Sequence, residues 1–354
     1  MHTDERLRLA LDSAELHQVL ESGQLTLDGA PVAVTPTALD VAQRQVTVER
    51  VDPRRDRPPA TVVWWRAIRA ISLTATATPA IATLLYGSLR GWSMRPLVAG
   101  LAILGALLLQ IAVNLINDVE DHLRLIDLPG GPGGAGIIQR GWLSARQVRR
   151  AALLSLGLGV LAGLPALFAA PVPILIIGAL GTFGAFGYSG RPFGLKYRAL
   201  GDLAVLALCG PGMTLGMSYA AFGQSTPGIW LLGGYFGLLA VGILHANNLE
   251  DVELDASRNA QTIAQLLGRG GSRAYFVALY VVALGLPLVG VLLGELRWPV
   301  AVAPLVGLPL VVPLQRAVLG HAPAGPLPTR VRAAQAHLAL GILVIVALLV
   351  SRWL

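Results

Sequence analysis

The segment Pro96 to Asp121 reads PLVAGLAILGALLLQIAVNLINDVED. Its first part, Pro96 to Ile116, contains no charged residue and is long enough for a helix that crosses a bilayer. Its end, by contrast, contains Asp118, Glu120 and Asp121 within a few positions. The segment therefore predicts a transmembrane helix that terminates in a cluster of carboxylates, and both features recur elsewhere in the chain.

The composition of the whole chain is that of a membrane protein. Of its 354 residues, 54% are hydrophobic and 13% are charged, and the mean hydropathy is +0.64, which excludes an ordinary water-soluble globule. The single cysteine excludes internal disulfides and cysteine metal sites. We predict an all-α polytopic membrane protein with nine transmembrane helices. The predicted spans are Trp65 to Leu89, Pro96 to Ile116, Ala145 to Ala169, Val172 to Gly187, Leu200 to Phe222, Gly228 to Asn247, Ala274 to Leu293, Trp298 to Leu319 and Val331 to Trp353.

The positions of the basic residues predict the orientation of the spans. Fourteen Arg or Lys lie on one predicted side of the membrane and four on the other, and the positively charged side is the cytoplasmic one. This places the N-terminus and the loops around 117–144, 188–199, 248–273 and 320–330 in the cytoplasm, for a protein of the bacterial inner membrane. Because the basic excess flanks the spans, it indicates a lipid bilayer and no nucleic acid as partner.

Residues 1–60 differ from the rest of the chain. They contain seven Arg and ten Asp or Glu, and their start lacks the apolar core of a signal peptide. We expect a short helix within Asp4 to Ser22, followed by a charged linker. The predicted domains are a cytosolic N-terminal extension over 1–60, either a cap or an interfacial helix, and a transmembrane domain over 61–354.

Eight of the ten acidic residues beyond position 60 lie in two short segments. In each segment, amide and carboxylate side chains follow helical spacing and share one face of the helix. These faces consist of Asn114, Asn117, Asp118 and Asp121 in the first acidic segment, and of Asn247, Asp251 and Asp255 in the second acidic segment. Each face is a polar stripe directed at one place.

Both acidic segments end an apolar span, where the helix dipole is negative and each carboxylate is disfavoured by ~0.3–1 kcal/mol. A bound cation offsets this penalty, and Mg²⁺ characteristically bridges a few carboxylates to phosphate. The alternative is an ordinary solvated helix end with Asn117 and Asn248 as polar caps, but the recurrence of the pattern favours a site. The carboxylates of the two acidic segments are therefore candidates to bind a divalent cation.

A diphosphate that binds with the metal also needs cationic partners. Lys196, the only lysine of the chain, and Arg198 lie together in a predicted cytoplasmic loop, where their alternative role is that of membrane anchors. The other basic candidates are Arg124, Arg140 and Arg258. The run from Gly130 to Gly136 lacks the Gly-Lys-Ser/Thr of a phosphate loop and predicts a flexible connection.

Three motifs together resemble those of the UbiA superfamily of intramembrane aromatic prenyltransferases. They are Asn117-Asp118-x-x-Asp121 with Asp127, Asp251-x-x-x-Asp255, and Tyr188-Ser189 through Leu195-Lys196 to Leu200-Gly201-Asp202. Within the superfamily, Asn247-Asn248-Leu-Glu-Asp251 and the placement of Asp127 look most like the 1,4-dihydroxy-2-naphthoate polyprenyltransferases of menaquinone synthesis. The resemblance runs from about Trp65 to Leu354.

The resemblance implies nine helices around a central cavity. It also implies Mg²⁺-assisted loss of diphosphate from a prenyl diphosphate and attack of an electron-rich aromatic acceptor on the prenyl cation. The implied metal ligands are Asp118, Asp121, Asp127, Asp251 and Asp255, and all of these except Asp127 are also implied to be catalytic. The implied roles of the other residues are support at the substrate for Asn114, Asn117, Asn247 and Asn248, and contact with the diphosphate for Tyr188, Lys196 and Arg198.

The chain departs from that branch at two places: Asn259-Ala260 stands where Gly-Lys is usual, and Gly136 where a basic residue is usual. Arg258 and Arg140 are the candidates to supply the missing charge. Two other functions stay open on the sequence. One is a terpene cyclase that quenches the cation internally, and the other is a cation-coupled transporter, for which acids near mid-membrane are expected.

Overall fold

The computed structural model describes residues 6–129, 134–252, 261–321 and 327–354, which are mainly helical. The helices are α1 Ala14–Ser22, α2 Ala60–Ala67, α3 Thr74–Leu89, α4 Pro96–Leu123, α5 Ala145–Gly163, α6 Pro171–Gly187, α7 Gly201–Ala207, α8 Met213–Phe222, α9 Pro227–Glu250, α10 Ile263–Leu292, α11 Trp298–Val306, α12 Leu308–Val318 and α13 Thr329–Ser351. Short turns of tighter helix precede α3 at Ala70–Leu73 and follow α5 at Leu164–Phe168.

Among the described residues, seven helical segments are long and apolar enough to cross a membrane. The pair α11 and α12 is an eighth span if it counts as one, although the chain bends by 49° between them. Proline explains the bend in part, since Pro309 at the start of α12 lacks the backbone donor that would continue the helix across the break. Helix α6 is apolar but has 17 residues. Each predicted span falls mainly on helix, but a count of nine full spans is not confirmed.

The first span begins later than predicted. Helix α2 ends at Ala67, and Arg69 adopts a positive φ of 50°, which an L-residue in a continuous α-helix does not have. The candidate span therefore starts at Ala70 and runs to Leu89, not from Trp65. This break leaves Arg69 directly before the span.

The chain divides into two compact units. The first unit consists of Met1–Ala70, Ile111–Ser155 and Ser189–Phe193. The second unit consists of Ile71–Gln110, Leu156–Tyr188 and Gly194–Leu354. The first acidic segment belongs to the first unit, and the second acidic segment belongs to the second unit.

The N-terminal part of the first unit is a four-stranded antiparallel sheet in the order β1-β4-β3-β2, which the sequence analysis did not predict. Its strands are β1 Leu7–Ala10, β2 Gln24–Leu27, β3 Ala30–Asp40 and β4 Gln45–Arg50. The helix expected near the N-terminus is present as α1. An Asp28-Gly29 pair with φ of 50° and 80° joins β2 to β3, as in the tightest hairpins. In β4, Val46 and Val48 alternate with more exposed residues and are fully buried.

Helix α1 packs against the sheet and against the chain that follows α4. Its residues Leu16 and Val19 are almost completely buried in one apolar cluster with Leu123, Leu125 and Leu128. Burial of this apolar surface favours the packed arrangement by roughly 25 cal/mol for each Å² removed from water. We call residues 6–50 the N-terminal domain. This domain therefore packs on the residues directly after the first acidic segment.

Polar contacts reinforce this packing at the end of α1. The Glu21 carboxylate accepts hydrogen bonds from both terminal nitrogens of Arg149, at 3.1 and 2.8 Å, and lies 3.7 Å from Arg146. The ring nitrogen Nε2 of His122 lies 3.1 Å from the Leu20 carbonyl oxygen. His122 follows Asp121 directly, so the domain is connected to the helix turn that carries the first acidic segment.

The core of the second unit surrounds α9. Its aromatic residues Tyr235 and Phe236 are buried and pack with Phe276 and Tyr280 of α10. Glycine allows a close approach on another side of α9, because a β-carbon at Gly237 would lie 2.9 Å from the Gly210 α-carbon. This packing fixes the helix whose C-terminal end carries the second acidic segment.

Candidate active site

The first acidic segment forms the last turns of α4, which continues to Leu123, beyond the predicted end of the span at Ile116. The four side chains of the predicted face are all buried. They are Asn114, Asn117, Asp118 and Asp121. A buried carboxylate is costly unless a cation or hydrogen bonds compensate for the lost water, so these residues indicate a site and not a solvated helix end.

The two asparagines position other members of this site. Asn117 donates from Nδ2 to Asp121 Oδ2 at 2.9 Å and accepts at Oδ1 from the Ser189 hydroxyl, also at 2.9 Å. Asn114 donates from Nδ2 to the Ile68 carbonyl oxygen at 2.8 Å. Asn117 therefore sets the orientation of the Asp121 carboxylate, while Asn114 holds the backbone next to Arg69.

Arg69 is a member of the site that the sequence analysis missed. Its guanidinium is ion-paired with the Asp118 carboxylate. Burial lowers the pKa of Arg69, but the carboxylates of Asp118, Asp127 and Asp121 raise it by more, and the net shift is upward. The three predicted metal ligands of the first unit therefore all lie close to this one cation.

The loop after α4 returns to the end of the helix. The Asp127 amide donates to the Asp121 carbonyl oxygen at 3.3 Å, and the Ala135 amide donates to Asp118 Oδ2 at 3.3 Å. Gly134 has a φ of +65°, and a β-carbon there would collide with the Asp127 carboxylate. The described end of the glycine run thus contacts the carboxylates, where the sequence predicted only a flexible connection.

Arg124 and Arg140 occupy different surroundings. Arg124 lies 3.6 Å from Glu120, and Arg191 lies 3.5 Å from the same carboxylate. The Arg140 guanidinium stacks on the Trp142 ring at 5.0 Å from its centroid. Within the described part of the chain, Arg140 has no ion pair with an acidic side chain, so its predicted contact with diphosphate stays a prediction.

The second acidic segment repeats the local arrangement of the first. Asn247 donates from Nδ2 to Asp251 Oδ2 at 3.1 Å, across the same four-residue spacing as Asn117 and Asp121. Asn248 is buried. An amide therefore orients one carboxylate in each segment.

Charges of both signs surround Asp251. Burial raises the pKa of this carboxyl, and Glu250 raises it further, whereas Arg330 and Lys196 lower it. The Glu250 carboxylate itself pairs with Arg330 at 3.0 Å. The net effect is a raised pKa, as expected for an acidic group that lacks a full cationic partner.

The loop from Tyr188 to Arg198 is held by backbone contacts. The Lys196 amide donates to the Tyr188 carbonyl oxygen at 2.8 Å. Arg198 and Gln261 form an isolated parallel bridge, and the Ala199 amide donates to the Gln261 carbonyl oxygen at 2.8 Å. The Lys196 ammonium lowers the pKa of Asp251, so its charge acts on this carboxyl within the second unit.

Several predicted site residues lie outside the described residues. They are Asp255 and Arg258, together with the Asn259-Ala260 pair at which the chain departs from the expected pattern. Their roles stay predictions.

A buried polar group of the second unit includes an acid that the sequence analysis noted only as part of a motif. Asp202 Oδ2 lies 3.4 Å from His245 Nδ1, and His245 Nε2 lies 3.2 Å from the Ser272 carbonyl oxygen. The Tyr275 ring packs edge-on against the imidazole at 4.7 Å. Two acidic residues after position 60 lie outside the acidic segments, and Asp202 is one of them. This isolated position is the feature of the sequence that could have identified it.

The donor set of the first acidic segment fits a hard divalent cation. Its candidate ligands are carboxylate and amide oxygens, and Mg²⁺ uses one or two carboxylates together with water and substrate phosphate. Among the described residues, no group of three or more His, Cys, Asp or Glu side chains forms a ready-made metal cage. Asp118, Asp121 and Asp127 are the residues that would hold the ion together with phosphate oxygens, and this role stays a prediction.

The fold and these clusters define a polytopic helical membrane protein with amide-oriented carboxylates at the ends of two spans, buried at the first and partly buried at the second. Residues 73–326 match the model of the UbiA prenyltransferase family. The chain belongs to this family and is a membrane-embedded prenyltransferase.

Two curated relatives of this chain carry the same name. The 1,4-dihydroxy-2-naphthoate octaprenyltransferase of Escherichia coli is 32% identical over 230 residues, which cover 62% of this chain and 73% of that protein. The protein of the same name from Haemophilus influenzae is 32% identical over 237 residues, covering 62% of this chain and 74% of the relative.

Solved structures share the fold. A UbiA homolog from Aeropyrum pernix has a TM-score of 0.58 at 16% identity and covers 79% of this chain and 97% of its own. A UbiA homolog from Archaeoglobus fulgidus, bound to GPP and Mg²⁺, has a TM-score of 0.51 at 17% identity and covers 80% of this chain and 99% of its own.

Proposed function

We propose that this protein transfers a prenyl group from a prenyl diphosphate to 1,4-dihydroxy-2-naphthoate, in a Mg²⁺-dependent reaction of menaquinone synthesis. The single observation that carries the proposal is the buried carboxylate group of Asp118, Asp121 and Asp127, which fits a metal that binds phosphate. The name shared by the curated relatives supports the acceptor. The Mg²⁺ and GPP bound to the Archaeoglobus homolog support the donor and the metal.

In this proposal the metal supplies charge neutralisation for the departing diphosphate. The chain's own residues hold and orient the reacting groups. Asn117 fixes the Asp121 carboxylate, and Asn247 fixes the Asp251 carboxylate, each through an amide hydrogen bond. Lys196 lies near Asp251 and adds a positive charge where diphosphate charge develops.

The remaining candidates keep the roles that the sequence indicates. Asp255 completes the second set of ligands, and Tyr188, Arg198 and Arg258 contact the diphosphate. Apolar helix walls exclude water, so that the prenyl cation reacts with the aromatic ring and not with solvent. The protein resides in the bacterial inner membrane, with its N-terminus and both acidic segments on the cytoplasmic side.

The test is incubation of the purified full-length protein with Mg²⁺, a radiolabelled prenyl diphosphate and a panel of aromatic acids. We expect a labelled lipid product with 1,4-dihydroxy-2-naphthoate and none when EDTA replaces Mg²⁺. A product with 4-hydroxybenzoate alone would contradict the assigned acceptor. A labelled hydrocarbon formed without any acceptor would identify a terpene cyclase.

A further inference from the structure

Asp202 at the start of α7 and His245 in α9 form a buried pair that no step of the proposed reaction uses. Their exposed fractions are 5% and 0%. Asp202 Oδ2 and His245 Nδ1 lie 3.4 Å apart, and neither atom has a hydrogen-bond partner among the described residues. The Tyr275 hydroxyl donates to the same carboxylate. Because burial of two such groups is unfavourable unless they compensate each other, their contact links α7 to α9.

The other ring nitrogen of His245 determines how the pair is linked. A carbonyl oxygen can only accept, so His245 Nε2 donates to the Ser272 carbonyl oxygen at 3.2 Å. With a proton already on Nε2, the contact between Nδ1 and the Asp202 carboxylate is attractive only when a second proton lies between these two atoms. The imidazole therefore connects the start of α7 to α10.

Ser272 lies beside an interruption of α10. Gly268 has a φ of 64° within this helix, and the Ser272 hydroxyl donates across the interruption to the Ala264 carbonyl oxygen at 3.0 Å. The loop before α7 is attached to the same part of α10, because the Gln261 carbonyl oxygen accepts from the Ala199 amide at 2.8 Å. The imidazole is thereby connected to this loop through the start of α10.

The loop also packs directly on α9 beside the buried pair. A β-carbon at Gly201 would lie 3.4 Å from the Lys196 α-carbon and 3.5 Å from the Leu244 side chain. Gly201 and Leu244 directly precede Asp202 and His245 in the chain. The contact of the pair therefore lies next to the point at which the backbone of Lys196 approaches α9.

We propose that Asp202 and His245 are positioning residues, which hold Lys196 in place for a bound diphosphate. This inference rests on the proposed function, in which Lys196 adds positive charge where diphosphate charge develops. The Lys196 ammonium acts on the end of α9, since it lowers the pKa of Asp251. The buried pair itself does not contact the substrate, and its effect on the reaction is exerted through the loop.

Equilibrium binding of a non-reactive prenyl thiodiphosphate to the purified full-length protein, with Mg²⁺ present, tests the proposal. We expect Asp202→Ala to weaken binding by ~10-fold, the size expected when one charge-assisted contact is lost. Asp202→Asn should stay within roughly 3-fold of the native affinity, because its amide can donate to an unprotonated Nδ1 and preserve the link.

A double-mutant cycle shows whether the effect is exerted through Lys196. In a Lys196→Ala background, Asp202→Ala should cause no further loss of affinity, because residues that act through one contact are not additive. A general loss of stability would weaken binding by the same factor in both backgrounds. An equal loss in both backgrounds, or equal weakening by Asp202→Asn and Asp202→Ala, would overturn the proposal.

Tyr86→Phe is the matched control for the loss of a buried polar contact. It removes a hydrogen bond of 2.6 Å to Glu295, beyond the other end of α10, and should leave the affinity unchanged. If Asp202→Ala does not fold, Tyr275→Phe replaces it in the cycle, since this variant removes only the hydroxyl that donates to Asp202. It should weaken binding by roughly 3-fold.

Hydrogen exchange without ligand separates failure of this proposal from failure of the proposed function. The Lys196 and Ala199 amides donate to the Tyr188 and Gln261 carbonyl oxygens, and Asp202→Ala should increase their exchange by ~10-fold relative to Tyr86→Phe. A native protein that does not bind the thiodiphosphate would contradict the proposed function. Native binding together with unchanged exchange of both amides in Asp202→Ala would overturn the positioning role alone.

Discussion

Arg69 is the cation that lies among the carboxylates of the first acidic segment. Its guanidinium pairs with Asp118, while Asp121 and Asp127 are close enough to raise its pKa. Removal of the cation from such a group leaves the buried negative charge without compensation. The resulting loss of stability exceeds the stability that the ion pair itself contributes. A divalent cation bound to the same carboxylates would provide the same compensation.

We therefore expect Arg69→Ala to lower the free energy of unfolding by about 1–3 kcal/mol in EDTA, and Mg²⁺ to restore much of the loss. Thermal unfolding of the detergent-solubilised protein, with and without Mg²⁺, measures both. Arg66→Ala is the matched control, because Arg66 stacks on Trp142 and the loss of this contact should not respond to Mg²⁺. Equal Mg²⁺ rescue of both variants would show that the metal does not act at these carboxylates.

Two charged neighbours of Asp251 shift its pKa in opposite directions, so their removal should shift the pH dependence of activity in opposite directions. Lys196 lowers the pKa of Asp251 and Glu250 raises it. Since a protonated carboxyl cannot bind Mg²⁺, activity at low Mg²⁺ should fall as the pH decreases through this pKa. Lys196→Ala should move the acid limb of kcat/KM to higher pH, and Glu250→Gln should move it to lower pH. Shifts in the same direction, or none, would mean that another group controls the limb.

The carboxylates were predictable from sequence because buried acids at the end of an apolar span are rare and therefore informative. The role of Arg69 was not predictable, because a basic residue directly before a span is expected from membrane topology alone. Its role depends on the break in the helix after Ala67 and on the distance to Asp118, neither of which the local sequence specifies.

At the scale of elements, the N-terminal domain is the part that the sequence analysis identified least well. Three of its four strands have six residues or fewer, and its buried positions are too few to produce a strong pattern. The signals that were present are the Asp28-Gly29 turn and the alternation of Val46 and Val48 in β4. The helices, in contrast, follow from long apolar runs. Their predicted ends differ most from the observed ones at the start of α10, which is Ile263 and not Ala274, at the start of the first span and at the end of α4.

The contact between Glu21 and Arg149 should hold the N-terminal domain in place. We expect Glu21→Gln to destabilise that domain by about 1–3 kcal/mol, because the carboxylate is buried and accepts two hydrogen bonds from the guanidinium. Hydrogen exchange of residues 14–50 measures the loss. Glu49→Gln, which breaks the exposed pair with Arg6, is the matched control and should have little effect. Equal effects of both variants would contradict the importance of the Glu21 contact.

The pKa of Glu21 determines the pH range over which this contact stabilises the N-terminal domain. Burial raises the pKa, but Arg149 and Arg146 lower it by more, so the folded value lies below the ordinary one near 4.5. The contribution of the contact to stability is therefore present above the unfolded pKa and is lost as the pH falls through the folded value.

At the scale of the whole molecule, the basic residues predict which side of the membrane each loop faces. The distribution of basic residues predicts that Ser144 faces the cytoplasm and Ser225 the opposite side. Cysteines introduced at each position, in a Cys209→Ala background, should react with a membrane-impermeant maleimide from opposite sides. Labelling of both from the same side would contradict the predicted arrangement of spans.

The central claim is that carboxylates of both acidic segments hold Mg²⁺ with a prenyl diphosphate. The most direct test is equilibrium binding of a non-reactive prenyl thiodiphosphate to the purified protein, with and without Mg²⁺. We expect Mg²⁺ to strengthen binding to the native protein by at least ~10-fold, as one metal-mediated contact would, and Asp121→Ala and Asp251→Ala each to abolish this Mg²⁺ effect. Binding that is equally tight in EDTA, or a full Mg²⁺ effect in both variants, would contradict the claim.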